Sequence, residues 1–313
     1  MNETIRLGIS ACLLGEPVRY DGQHKHDRYL TDTLGRFVEY VPVCPEVECG
    51  LGVPREAMRL LGDPAAPRLS TIQTGIDLTE RMLSWAARRV RELEGERLAG
   101  FIFKSSSPSS GMERVKIYNE KGIPSRSGVG LFARAFMEHF PLLPSEEEGR
   151  LRDPVLRENF IERVFALRRW HDICTQGRSP GRLVEFHTSH KFLIQSHSER
   201  HYREMGRLVA GIKAGPGEPS FTAYEAAFMA ALRLKCTPKK HANVLQHIMG
   251  HFKGELSAKE KQELLEIIAN YKAGVLPLIV PISLLNHYVS KYDKPYLAKQ
   301  VYLHPYPLEL RAP

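Results

Sequence analysis

Two domains of different class are expected in this 313-residue chain: an N-terminal α/β domain with a mainly parallel, Rossmann-like sheet over residues 1–170, and an all-α domain over residues 180–313. Three observations predict this. Strand and helix signals alternate through the first half, the pattern of a parallel sheet with crossover helices. Strand signals vanish after "TQGRSPGR" (175–182), whose composition is that of a linker. Charge changes at the same place: residues 1–170 hold 25 Lys+Arg against 24 Asp+Glu, whereas residues 171–313 hold 19 against 12 and ten of the thirteen histidines.

The elements follow in order. "RLGIS" (6–10) and "FVEYVPV" (37–43) read as strands. "DLTERMLSWAARRVRELEG" (77–95) reads as a helix with Asp77 at its N-cap, Glu80 three positions on and Gly95 past its end. "LAGFIFK" (98–104) is apolar enough for a strand buried on both faces. "GVGLFARAFMEHF" (128–140) fits a further helix, and "PLLPSEEEGRLRDP" (141–154) reads as a loop. Asp153 and Pro154 then cap and open a helix through "VLRENFIERVFALRRW". Beyond the linker, "RLVEFHTSHKFLIQSHSERHYREMGRLVAG" reads as one or two helices and "FTAYEAAFMAALRLK" as another. Thr237 and Pro238 open the next, and Ser257 with Glu260 forms a capping box for the one that Gly274 ends.

Composition bounds the function. Five cysteines at irregular spacing form no disulfide framework, which leaves thiols free for metal or chemistry in a reducing, cytoplasmic setting. "ISAC" (9–12) matches a lipoprotein cleavage site, but the eleven residues before Cys12 are too few and too polar for a signal peptide. "VLPLIVPISLL" (275–285) is short and carries two prolines, so no bilayer span is expected. The basic second half, with Lys191, Arg200, Arg203, Arg207, Lys239 and Lys240 interleaved with Phe192, His201 and Tyr202, suits RNA through phosphate neutralisation and base stacking. Solvated helix faces are the plainer reading of the same residues.

In a parallel α/β sheet, ligands bind beyond the carboxyl ends of the strands. Each expected N-terminal strand ends in reactive residues. The first runs into Cys12, the second into "CPEVECG" with Cys44, Glu46 and Cys49, and the third into Lys104 and five serines between 105 and 110. Three converging thiolates suit a soft metal centre. A four-iron four-sulfur cluster with only three cysteine ligands keeps one iron open as a Lewis acid. Zinc with three cysteines and His24 or His26 is the competing reading, and small core cysteines are the third.

The segments "ISACLLGEPVRYDG", "VCPEVECGLGVPRE" and "FKSSSPSSGMERVKIY" resemble the signature segments of the thiouracil desulfidase (TudS-like) family. "EFHTSHKFLIQSHSERHYREMGRLVA" and "YLAKQVYLHPYP" resemble the YbgA-like helical domain often fused to it. Together these cover nearly the whole chain, and the fused form is similar to bacterial tRNA 4-thiouridine desulfidases. The resemblance implies a [4Fe-4S] cluster with Cys12 and Cys44 among its ligands, Glu46 as general base, Ser107 assisting, and uridine and sulfide as products from thiolated tRNA. Asp21 and Lys25 could line the substrate pocket, since Asp and Lys fit the edge and phosphate of a nucleotide, and an ordinary Asp-Gly turn after the first strand is the alternative; Lys104, with Ser107, would hydrogen-bond the base or the developing charge. One position departs: the family commonly has cysteine in "SPSCG", where this chain has Ser110. Cys49 is the substitute expected as third ligand. A desulfidase of free thiouracil, and a non-enzymatic zinc-containing RNA-binding or regulatory protein, are the alternatives.

Two weaker signals complete the reading. "GVGLFA" (128–133) matches a dinucleotide fingerprint, but "IPSRS" rather than a buried strand precedes it, which argues against a nucleotide cofactor. His197 with His201, and His247 with His251, stand four apart and are expected to share helix faces as polar groups or phosphate contacts. Cys174 and Cys236 are expected on helical stretches as buried packing residues.

Overall fold

The computed structural model describes residues 4–211 and 218–311. Two compact units divide the chain: Met1–Phe165 together with Glu309–Pro313, and Ala166–Leu308.

The first unit is built on a parallel sheet. Strands β1 (Ile5–Ser10) and β2 (Val38–Val43) pair along their whole length. The four-residue helix α1 (Pro45–Glu48) follows β2 directly. Strands β3 (Met58–Leu61) and β4 (Arg68–Thr71) form a hairpin, and the helix α2 (Thr79–Glu94) leads to β5 (Gly100–Phe103). Next come β6 (Val115–Tyr118), β7 (Pro124–Gly128), the helix α3 (Leu131–His139) and β8 (Ser145–Glu147). The main sheet has the order β2-β1-β5-β8, parallel throughout. A second sheet, β4-β3-β6-β7, is mixed. The strand order departs to opposite sides of β1, so a crevice opens beyond the ends of β1, β2 and β5.

The core explains the sequence of β5. Phe101 and Phe103 stack at 4.3 Å between ring centroids and pack against Phe132 and Phe136 of α3. All four rings are fully buried. A side chain at Gly8 on the neighbouring strand would sit 2.1 Å from the Phe101 ring, so glycine there makes room for it. Met82, Trp85 and Val90 of α2 close the same cluster. Helix α2 begins one turn-residue later than Asp77 implies: Leu78 is the N-cap, while the Asp77 carboxylate accepts from the Thr79 N–H.

The segment expected as a loop at 141–154 contains β8, where Glu146 and Glu147 are buried. Charge hid the strand, because buried acids read as solvent-exposed. Their carboxylates are in fact matched: Glu146 pairs with Arg150 at 2.5 Å, and Glu147 accepts from the Met112 N–H at 2.7 Å.

The second unit is helical among the described residues. It continues the long α4 (Pro154–Thr175) and adds α5 (Pro180–His197), α6 (Glu199–Gly211), α7 (Glu218–Arg233) and α8 (Pro238–Met249). Then follow α9 (Ala258–Lys272), α10 (Ile279–Lys291) and the short α11 (Pro295–Ala298). Thr237 caps α8, and Ser257 with Glu260 makes the reciprocal capping box of α9. Its core gathers Trp170, Phe186, His190, Tyr224 and Phe228, with Trp170 stacked on Tyr224 at 5.2 Å. The histidine pairs do not share helix faces. Ser198 ends α5, so His197 and His201 lie on different helices, and His251 lies past the end of α8, stacked on Tyr296. Cys174 and Cys236 are half-buried. No described helix is long and apolar enough to cross a membrane.

Candidate active site

A cavity of about 400 Å³ opens beyond the ends of β1, β2 and β5, large enough for a pyrimidine and part of a sugar. Three loops build it. After β1 the chain turns through Ala11–Leu14 and reverses at Gly15 (φ +94°). The loop then folds back, the Lys25 N–H donating to the Cys12 carbonyl and the Asp27 N–H to that of Leu13. This brings Cys12 and Lys25 to one wall. After β2, Cys44 is the N-cap of α1 and Pro45 its first residue, which turns Cys44 and Glu46 into the cavity. After β5, the Lys104 N–H donates to Ser10 Oγ, tying the ends of β5 and β1 together.

The serine run forms the third wall by docking on α3. The carbonyl of Pro108 accepts from the Leu131 N–H, and that of Ser109 from Phe132 and Ala133. These are donors that a helix N-terminus otherwise leaves unsatisfied. Gly130 permits the approach, since a Cβ there would lie 2.5 Å from the Ser109 backbone. The glycines of "GVGLFA" are therefore steric. The strand before them, β7, is exposed at the edge of the second sheet.

Glu46 is the best-held group in the cavity. One carboxylate oxygen accepts from Ser109 Oγ at 2.5 Å. The other accepts from the Cys44 thiol at 3.6 Å and lies 3.7 Å from the Arg55 guanidinium. Side-chain exposure is only 13% for Glu46 and 10% for Arg55, so the pair is shielded and loss of either partner leaves a poorly solvated charge. Arg55 is itself fixed by the carbonyls of Val18 and Gly52.

Burial holds both cavity thiols protonated. It pushes Cys12 up to about 11, with Lys104 opposing the rise and Glu46 adding to it. It pushes Cys44 up to about 12, with the neighbouring Glu46 adding to the rise. A metal bound there must displace both protons.

Several expected site residues meet in this cavity: Cys12, Cys44, Glu46, Lys25, Lys104 and Ser107 all line it. Ser107 Oγ accepts from the N–H groups of Ser109 and Ser110, so it organises the loop that presents them. Lys104 Nζ is 2.5 Å from Glu148 and also donates to Ser105. Two expectations need correction. Cys49 does not line the cavity. Its thiol donates to the Glu46 carbonyl at 3.3 Å and packs against the core, because the α1 turn carries it round from Cys44. Asp21 does not line it either: its carboxylate accepts from the Gln23 N–H and pairs with Arg19, holding the turn at Gly22. Two of the three expected thiols, those of Cys12 and Cys44, line this cavity, and the buried Ser110 lines it with them.

Sequence reasoning missed Arg55 and Ser109. Arg55 stands nine residues past Glu46 with no pattern linking them, and nothing in "SSSPSS" separates Ser109 from its neighbours.

Comparison with known proteins agrees with this layout. Residues 7–148 match the family model described as 2-thiouracil desulfurase. Residues 191–307 match a family of unknown function, DUF1722. The uncharacterized protein YbgA of Escherichia coli (strain K12) is 30% identical over 151 residues, covering 48% of this chain and 89% of that protein. The uncharacterized protein YbbK of Bacillus subtilis (strain 168) is 28% identical over 108 residues, covering 33% and 71%. A solved structure titled [4Fe-4S]-dependent thiouracil desulfidase TudS is 29% identical over 48% of this chain and 95% of its own, with a TM-score of 0.40. A YbgA relative covered over most of its length, preceded by a desulfurase match spanning the strands and loops that build the cavity, shows the family: the chain belongs with YbgA through its helical domain, which is fused to a TudS-like region matching 2-thiouracil desulfurase.

Proposed function

We propose that the chain removes sulfur from thiolated uracil, with 4-thiouridine in tRNA as substrate, giving uridine and sulfide. In this reading residues 1–170 carry the chemistry and residues 180–313 bind the tRNA. The observation that carries it is the meeting of two thiols, a carboxylate and a lysine at the ends of three parallel strands.

The donor set bears on which metal group the cavity would hold. The cavity presents the thiols of Cys12 and Cys44 and the hydroxyl of Ser110, two soft donors and one hard one. This fits a [4Fe-4S] cluster held by two thiolates and a serine oxygen, and it does not fit three thiolates. Bound there, such a group would supply a Lewis acid that polarises the thiocarbonyl.

The protein's own residues account for the rest. Glu46 is oriented by Ser109 and Arg55 and acts as general base, taking a proton from water. The water oxygen bonds to the ring carbon, the carbon–sulfur bond breaks, and sulfur leaves as hydrosulfide that recovers the proton. No electrons are gained or lost. Lys104, which lines the cavity at the end of β5, would stabilise charge developing on the base. Arg55 has a second task. If Cys44 loses its proton to a metal, the Glu46–Cys44 hydrogen bond is lost and two anions face each other, and the guanidinium offsets that repulsion.

The helical unit supports RNA binding less directly than its composition implies. Arg200 and Arg203 pair with Glu204 and Glu199, and Lys240 Nζ caps backbone carbonyls. Lys191 lies 4.8 Å from the rings of both Phe192 and Tyr296, a cation beside stacking surfaces.

The test is nucleoside analysis of thiolated tRNA, and of free thiouracil, after incubation with anaerobically purified protein. Conversion of tRNA-borne 4-thiouridine is expected, with Glu46→Gln lowering kcat by roughly 10²–10⁴-fold at unchanged iron content. Turnover confined to the free base removes tRNA from the reading, and full activity of the Gln variant removes Glu46 as base.

A further inference from the structure

The Lys104 ammonium lines the active-site cavity, yet its protons are all engaged. It donates to Glu148 Oε1 at 2.5 Å and to the carbonyl and hydroxyl of Ser105 at 3.0 Å each. A lysine offers three donors, so this arrangement leaves none for a substrate. One of the bonds must open before Lys104 can serve the reaction.

The surroundings decide which one. Glu148 follows β8 directly, and its N–H donates to the Phe103 carbonyl of β5 at 3.2 Å, so the main sheet fixes it. One of its carboxylate oxygens accepts from Lys104 Nζ and from Ser105 Oγ, and the other from the Ser105 N–H at 2.7 Å. Side-chain exposure is 22% for Lys104 and 11% for Glu148, so parting the two leaves each charge poorly solvated. The Ser105 oxygens are neutral, and Ser105 lines the same cavity. A substrate oxygen or sulfur can take the place of one of them without separating the ion pair. The neighbouring acids hold other posts: Glu146 pairs with Arg150, and Glu147 accepts from the N–H groups of Met112 and Glu113.

We infer that Glu148 is a positioning residue for the desulfuration. Set at the end of β8, it keeps the Lys104 ammonium at the cavity wall while one Ser105 oxygen gives way to the substrate. The same carboxylate steadies the turn that leads to Ser107. Ser106 sits in the left-handed region at φ +61°, a costly conformation for serine, and the bonds from Ser105 to Glu148 hold the residue before it. The inference rests on the desulfidase reading, and it adds a residue that acts on the substrate only through the lysine.

A double-mutant cycle tests it, with Glu148→Gln and Lys104→Met made singly and together. Glutamine keeps an oxygen for the Ser105 N–H and removes only the charge. Circular dichroism melting and iron content after anaerobic reconstitution check each protein. Each single variant is expected to lower kcat on 4-thiouridine-containing tRNA or on thiouracil by roughly 10²-fold, the cost of a misplaced transition-state donor, with KM within about 3-fold. A residue that acts through Lys104 adds nothing once the lysine is gone, so the double variant should lie within ~3-fold of Lys104→Met. Losses that multiply, a raised KM at unchanged kcat, or wild-type kcat in Glu148→Gln overturn the inference. A second readout needs no turnover: acetic anhydride should acylate Lys104 at least ~10-fold faster in Glu148→Gln than in wild type, followed by mass spectrometry. A wild type that desulfurates neither substrate removes the activity, while the faster acylation still shows Glu148 holding Lys104. Turnover by the wild type with equal acylation rates in the two proteins does the reverse.

Discussion

Gly130→Ala tests how the serine wall of the active site is held. Gly130 is the N-cap of α3 with φ −62° and ψ 145°, a conformation alanine adopts freely, so only space is at issue. A Cβ would meet the carbonyl carbon and oxygen of Ser109 at 2.5 Å and the Ser110 nitrogen at 2.7 Å. Ordinary contact begins at 3.4 Å, so the Ser107–Ser110 loop must move by roughly 0.9 Å away from the helix. That motion strains the bonds from Phe132 and Ala133 to the Ser109 carbonyl, at 2.9 and 3.1 Å. Overpacking costs about 1–3 kcal/mol and weakening the two hydrogen bonds about 1 kcal/mol together, so a loss of ~2–4 kcal/mol is expected. For a unit of this size the thermal midpoint then falls by roughly 5–15 °C. Ser109 also holds Glu46 at 2.5 Å, and a displacement near 1 Å in a catalytic array costs on the order of 10²-fold in rate. Circular dichroism melting and kcat on thiouracil measure the two effects. Gly181→Ala, in helix α5 with nothing within 4 Å of the added carbon, is the control and should hold its midpoint. A Gly130→Ala protein that melts within about 1 °C of wild type and turns over normally refutes the docking argument.

Two further predictions follow from the same geometry and from the helical core. Ser110→Cys should hold iron against a chelator at least ~10-fold longer than wild type after anaerobic reconstitution, while Cys49→Ala should leave iron content unchanged; iron loss in the Cys49 variant would return that residue to the ligand set. The buried His190 is stacked on Phe186 at 3.8 Å, and burial pushes it down to about 3. The unfolded chain therefore binds a proton near pH 6.5 that the folded one refuses, so the stability this provides is full above pH 6.5 and falls as pH drops toward 3. Between pH 6.5 and 4.5 the loss is roughly 2 kcal/mol, read as a shift in urea midpoint that His190→Phe should flatten; parallel slopes would show that His190 does not carry it.

The parts of this structure that were legible in the sequence are those where one residue pattern has one physical cause. Strand β5 could be read because Phe101 and Phe103 are buried on a strand covered on both faces, and the capping residues Thr237, Ser257 and Glu260 because caps are local. The second sheet was not legible. Strands β3, β4 and β6 have four residues each, and β7 exposes polar side chains along an edge, so none carries an alternation long enough to recognise. In the site, the strand ends announced Cys12, Cys44, Glu46 and Lys104, whereas the reading of Cys49 failed on rotation. Cys44 and Cys49 are close in sequence, but the helical turn between them advances about 100° per residue. Five residues carry the second thiol roughly 140° round from the first, off the cavity and toward the core.

The protonation of the two cavity thiols narrows what they can do. A cysteine that attacks sulfur or carbon must be a thiolate. With Cys12 near 11 and Cys44 near 12, the reactive fraction of Cys12 at pH 7 is on the order of one in 10⁴, and that of Cys44 is smaller. Nor do the cavity cations change this, since most are committed: Arg19 to Asp21, Arg55 to Glu46 and Lys104 to Glu148. Lys25 has no carboxylate partner among the described residues, and it is exposed. A metal centre reverses the balance, because it brings its own positive charge to the sulfur atoms and displaces their protons as it binds. Glu46 beside Cys44 would be a defect in a nucleophilic site, since its charge holds the thiol protonated. Beside a metal-bound sulfur it would serve as a base for water, with Arg55 in place to keep the two negative groups together.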